Sequence, residues 1–235
     1  MTAPKKKKAA DYKQAPLLPV VQLDPLGSAG LAQLRPRCQN CVKCSLSQGS
    51  PTLVFGEGNP DCPDVCFVGE APGAKEEEQG RPFVGPSGQL LDRMIRAMGY
   101  ERDQLFITNV ILHRPPDNRP PTPLELKACY EHFVAQIRSV RPKTIVALGA
   151  SAVAAMVGGK KKIGELRGKW LEWEKVPVMP TYHPSYLLRA NGAEGLEFRK
   201  RVWADLQMVM YKVGKPIPLP LDPGTAFQRD PHATS

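Results

Sequence analysis

No apolar run in this 235-residue sequence reaches the roughly 18 residues a membrane-spanning helix needs, so a helical membrane protein is excluded. Lys5 to Lys8 have no apolar stretch behind them, so no secretory leader is expected there, and a cytoplasmic protein with no membrane partner is expected. No internal repeat recurs. Negative charge is short: 23 Asp and Glu face 32 Lys and Arg, a formal net charge of +9. An excess of that size points to a polyanionic partner. Six cysteines in a reducing compartment indicate metal or redox chemistry before disulfides. Proline is over-supplied, with 25 residues, about twice the usual ~5%.

The prolines collect at the ends. Residues 1–25 hold Pro4, Pro16, Pro19 and Pro25 among five lysines; residues 213–235 hold Pro216, Pro218, Pro220, Pro223 and Pro231. Such segments bury too little apolar surface to offset chain entropy, so both are expected to be disordered tails around one folded domain, 26–212. The N-terminal tail carries +3 and the C-terminal tail is neutral, which leaves +6 of the +9 in the folded part.

Within that part strand and helix signals alternate. Short apolar runs at 64–69, 104–109, 144–149 and 176–182 have buried-strand character. Helical spacing marks 86–98, 151–157 and 196–213. A fourth helix opens at Thr122-Pro123, where Glu125 completes a capping box, and runs to Val140. Alternation of this kind predicts an α/β protein: a central, mainly parallel four-stranded sheet with helices on both faces, a three-layer α/β/α sandwich. Ligands of such folds collect beyond the carboxyl ends of the strands.

The first strand runs into Gly69-Glu70-Ala71-Pro72-Gly73, then a polar loop, then Arg81-Pro82-Phe83-Val84-Gly85. Alone, this reads as a Gly/Pro-rich connection whose Glu76, Glu77 and Glu78 form a solvated acidic face. The second strand ends in Thr108-Asn109, and Asn is a common turn residue. The fourth runs into Tyr182-His183-Pro184-Ser185-Tyr186-Leu187-Leu188-Arg189, where a lone His would be structural. Together the three change meaning, because a Glu, an Asn and a His fall at carboxyl strand ends of one sheet. An Asn amide, a Phe face and a His donor are what reading a planar heterocycle requires.

GEAPG, RPFVG, the TN strand end followed by RPP, and HPSYLLR, in this order and spacing, resemble the family 4 uracil-DNA glycosylases, which carry an iron–sulfur cluster. The resemblance runs from about Arg37 to Tyr211. It implies a monofunctional hydrolase that flips uracil out of single- or double-stranded DNA. The N-glycosidic bond is cut, an abasic site remains, and base excision repair begins. By the same resemblance, Phe83 stacks on the flipped base, Asn109 pairs with its Watson–Crick edge, and the backbone at Gly69 and Glu70 also contacts it. His183 donates to uracil O2 as negative charge develops there. Glu70 or Glu76 positions water or offsets the sugar cation, with Glu77 and Glu78 as solvated neighbours. No Lys falls in a matched motif, which argues against a lyase. Pro184 to Arg189 would form a loop entering the minor groove, with Ser185, Leu187, Leu188 and Arg189 on DNA. The alternative for Leu187 and Leu188 is core. Arg114, Arg119, Lys160 to Lys162 and Arg199 to Arg201 are expected as a set to meet phosphates, and a monomer is expected.

The cluster pattern is broken at one place. Cys41-x2-Cys44 matches the family's first ligand pair and Cys129 its last, but His113 stands where the remaining Cys belongs. Three arrangements follow: His113 completes a Cys3His set around a structural 4Fe-4S cluster; Cys38 serves instead, in ferredoxin-like Cys38-x2-Cys41-x2-Cys44 spacing; or the site holds zinc. The matching position favours His113. Cys66 reads as a core thiol, Cys62 as a loop thiol, and His132 and His232 as structural or exposed. A sister group that links covalently to DNA also carries His at the position of His113. Its chemistry uses a nucleophilic His on an inserted basic loop, and Arg114 to Pro121 contains none. Turnover is therefore expected over a trapped adduct, or over a metal-stabilised nucleic-acid-binding module without activity.

Overall fold

In the computed structural model the strand that begins at Val65 sends Val65 and Phe67 into one hydrophobic layer and Cys66 and Val68 into the other. Continuous apolar strands of this kind are stable only when covered on both faces. The structure describes residues 26–217 and Phe227. The basic arm 1–25, the rest of the C-terminal tail and His232 lie outside the described residues.

The sheet contains β1 (Glu57–Gly58), β2 (Val65–Gly69), β3 (Phe106–Asn109), β4 (Thr144–Leu148), β5 (Leu171–Trp173) and β6 (Val176–Thr181), in the order β1-β3-β2-β4-β6-β5. The inner four are parallel; β1 and β5 pair antiparallel at the two edges. The four expected strands are present, and the sheet is wider by two. Edge strands of two and three residues leave no apolar run to read.

One face is covered by α1 (Gly27–Gln39), α5 (Pro123–Val140) and α6 (Ala150–Val157), through residues such as Leu34, Phe133 and Val153. Against the other pack α4 (Pro86–Ala97), α8 (Pro184–Arg189) and α9 (Gly192–Val213), with Leu91, Met94, Leu187 and Leu206 buried. Short helices α2 (Leu46–Gly49), α3 (Ala74–Gln79) and α7 (Ile163–Leu166) lie in the connections, with 3-10 turns at Arg102–Gln104 and Pro116–Asn118. The α5 start is as the sequence indicates: Thr122 Oγ1 accepts from Glu125 N–H at 3.3 Å, and Glu125 Oε2 accepts from Thr122 N–H at 2.7 Å.

Several segments differ from expectation. The acidic stretch around Glu76 is the helix α3, not a loop. Pro184 to Arg189 is also helical, with Pro184 at its first position and His183 as its cap. Leu187 is fully buried in the α4–α9 layer, so it belongs to the core, and of the two expected wedges only Leu188 stands at the surface, at 42% exposure. Phe227, inside the expected tail, is buried against Trp203 with ring centroids 6.1 Å apart, and Arg93 Nε donates to its carbonyl at 3.3 Å. One aromatic ring buries enough apolar area to hold a point of an otherwise proline-rich segment.

Candidate active site

The carboxyl ends of β2, β3, β4 and β6 open into a cavity of about 590 Å³. Glu70, Glu76, Phe83, Asn109, His183, Ser185 and Arg189 line it together, so one site gathers residues from opposite ends of the folded chain. Gly69 and Asn109 are register partners across β2 and β3. A Cβ on Gly69 would overlap Asn109 Oδ1 and the Phe83 ring, so glycine is what lets amide and ring meet there. Past the strand ends, Val110 N–H donates to the Gly69 carbonyl (3.0 Å) and Ile111 N–H to that of Glu70 (2.9 Å), extending the pairing under the cavity floor.

Phe83 is buried with its backbone at φ +51°, a region a bulky residue occupies only when its surroundings impose it. Its ring lies 5.7 Å from that of His183, centroid to centroid, tilted by 32°.

The protonation of His183 follows from its bonds. Nδ1 accepts from the Ser185 backbone N–H at 3.1 Å, and the Ser185 hydroxyl is 2.8 Å away. A backbone N–H can only donate, so Nδ1 carries the lone pair and the proton of the neutral ring sits on Nε2. Burial, aided by the Arg189 charge and opposed by Glu76, lowers the His183 pKa to about 4. The ring is thus a neutral Nε2–H donor across the ordinary pH range.

The two carboxylates of the site differ in their bonding. Glu70 Oε1 is buried with no partner, and burial raises the carboxyl's pKa against an opposing hydrogen bond from Ser151. Glu76 is held by backbone: Oε1 accepts from Val84 (2.9 Å) and Gly85 (2.8 Å), and Oε2 from Gly73 (3.1 Å).

Around the rim, several expected DNA contacts are tied internally. Arg114 pairs with Glu77 at 2.9 Å and Arg119 with Glu125 at 2.6 Å. Glu77 is therefore not the solvated neighbour its sequence context suggests.

A second cluster lies beneath α1 and α5. Cys38 ends α1, Cys41 and Cys44 follow in the next turns, and Cys129 lies on α5. Among the described residues no group of three Cys, His, Asp or Glu side chains is closed around a metal position. The donor set nevertheless suits a soft metal centre. Burial pushes the Cys129 thiol up against an opposing backbone hydrogen bond at Leu112, the neighbouring Cys38, Cys44 and Cys41 add to the rise, and burial with Cys41 pushes Cys38 up to about 12. Sulfurs that destabilise one another as thiolates are stabilised together by a bound cation. His113 is 6% exposed, its Nε2 is buried without a partner, and burial lowers its pKa, so the imidazole is held neutral as a ligand must be. His132, expected from the sequence to be structural or exposed, also lies at this cluster. It is buried, and its Nε2 lies 3.2 Å from Cys41 Sγ. Its spacing of three from Cys129 on one helix was the signal that placed it on the same face.

Residues 55–207 match the uracil DNA glycosylase superfamily. The chain is 44% identical over 173 residues to a type-4 uracil-DNA glycosylase of Thermotoga maritima, covering 73% of this chain and 88% of that protein. It is 40% identical over 178 residues to a type-4 uracil-DNA glycosylase of Pyrobaculum aerophilum, covering 72% and 90% respectively. A type-5 uracil-DNA glycosylase of the same organism is 31% identical over 156 residues, covering 59% and 67%.

Proposed function

Because this chain belongs to the type-4 branch of the uracil-DNA glycosylase superfamily, we propose that it hydrolyses the N-glycosidic bond of deoxyuridine in DNA. The observation that carries this reading is the convergence of Glu70, Phe83, Asn109 and a neutral, Nε2-protonated His183 on one cavity. Uracil extruded from the stack lies on the Phe83 face, and the Asn109 amide pairs with its N3–H and O4. Cytosine, with an unprotonated N3 and a 4-amino group, leaves that amide mismatched, and rejection of this kind reaches roughly 10⁴-fold. As the C1′–N bond breaks, negative charge grows on the base and His183 Nε2–H stabilises it at O2. Positive charge grows on the sugar, where the ionised Glu70 offsets it or orients the attacking water.

Exposed Leu188 and Arg189, at the end of α8, suit the wedge and phosphate roles in single- and double-stranded DNA. No helix among the described residues is long and apolar enough to cross a membrane. A monomer acting on intracellular DNA at the first step of base excision repair fits this reading. A structural 4Fe-4S cluster would be held by Cys41, Cys44 and Cys129, with His113 as fourth ligand; it would cross-link the α1–α2 turn, the chain past β3 and α5. Iron-loaded protein is expected to be brown, and His113→Ala to lose that colour while Cys38→Ala keeps it. Bleaching by Cys38→Ala alone would give the fourth place to Cys38, and a colourless protein with bound zinc would replace the cluster. The activity itself is tested by release of free uracil from a uracil-containing oligonucleotide, with His183→Ala and Asn109→Ala as controls.

A further inference from the structure

Glu76 shares the cavity with Glu70, but its carboxylate is occupied. A carboxylate has about four lone-pair positions, and three are filled by the N–H groups of Gly73, Val84 and Gly85. Two glycines make room for it. A Cβ on Gly73 would stand 2.8 Å from Oε2, and one on Gly85 would stand 3.2 Å from Oε1. The carboxylate therefore ties the first turn of α3 to the turn that carries Phe83.

That turn is gripped from its other side as well. Arg102 donates to the Pro82 carbonyl, and Glu57 bonds both Arg102 and Arg81, at 2.9 Å in each case. Asp92 holds the same Arg102 guanidinium at 2.6 Å. Residues on both flanks of Phe83 are thus fixed, while Phe83 itself keeps a left-handed backbone. Gly88 completes the fit, since a Cβ there would collide with the Phe83 backbone.

We propose that Glu76 is a positioning residue: it clamps the Val84–Gly85 turn so that the Phe83 ring is held where the flipped base must stack. It does not act on the attacking water. Glu70, whose buried oxygen has no partner, is then the cavity's one carboxylate for chemistry. The inference rests on the base-release reading above and divides its two candidate carboxylates between two roles.

The test compares wild type, Glu76→Ala and Glu76→Gln by single-turnover uracil release and by amide hydrogen exchange at Val84 and Gly85. Glu76→Ala is expected to speed exchange at both amides and to lower the rate roughly 10²-fold, the usual cost of a misplaced contact. The glutamine oxygen still accepts from Val84 and Gly85, so Glu76→Gln is expected to keep both amides protected. Its rate should return to within about tenfold of wild type, with the acid limb of the rate–pH profile unmoved. A glutamine variant as slow as the alanine one, with both amides still protected, would overturn the proposal and assign Glu76 a charge-dependent role. Wild-type exchange in Glu76→Ala would overturn it equally. If wild type released no uracil, the proposed function would fail, and the exchange comparison would still decide the clamp.

Discussion

At the residue scale, the pH dependence separates the two groups to which the proposed function assigns the chemistry. His183, with its pKa lowered to about 4, stays neutral well below pH 6.5. Glu70 must be ionised to face a sugar cation, and burial raises its pKa. The rate should therefore fall with decreasing pH already above the ordinary carboxylate range of about 4.3, through protonation of Glu70. A single-turnover pH profile checks this: Glu70→Gln should lower the plateau and erase the limb. A limb near 6.5 that survives Glu70→Gln would assign it to His183. His183→Ala, which removes one preorganised donor, should slow uracil release by roughly 10²–10³-fold in a protein of unchanged fold. That Glu70, Phe83, Asn109 and His183 line one cavity was legible because each sits at a strand end or in a fixed motif. The approach of His132 to Cys41 was not, because the two are 91 positions apart and only folding joins them; its spacing of three from Cys129 gave the helix face alone.

At the element scale, close approaches decide what the strands can hold. Gly69→Ala places a methyl group into Asn109 and Phe83. The expected outcome is a stability loss of about 1–3 kcal/mol by denaturant titration, with uracil release lost more than the stability change explains. Another junction holds the end of β6 ahead of His183. Asp205, fully buried on α9, accepts from Thr181 Oγ1 at 2.6 Å and pairs with Arg167. Arg167→Leu leaves that carboxylate buried beside only a hydroxyl, a loss of about 3 kcal/mol, or a fall of roughly 6–12 °C in Tm by calorimetry. The central strands and the helices α4, α5, α6 and α9 were readable from apolar runs, periodicity and caps. The helix α1 was hidden by Gly27, Gly30 and Pro36. The helix α3 was hidden by its acidic surface, and the edge strands by their brevity.

At the scale of the whole molecule, the charge excess acquires a direction. Of the net +9, +6 belongs to residues 26–212, and some of those cations are tied to Glu77, Glu125 and Glu174 inside the fold. Electrostatic attraction to DNA then rests on the remaining cations, and binding of uracil-free duplex should weaken steeply between 50 and 200 mM salt, by about tenfold or more. A salt-independent affinity would contradict that account. The central claim is that the cavity at the β2, β3, β4 and β6 ends takes up an extruded uracil and excises it. Incubation of the purified protein with an oligonucleotide carrying one uracil, beside an identical one carrying cytosine, tests it most directly. The account predicts free uracil and an alkali-labile abasic site from the first and neither from the second. Intact uracil-DNA after prolonged incubation with folded protein, or equal release of cytosine, would contradict it.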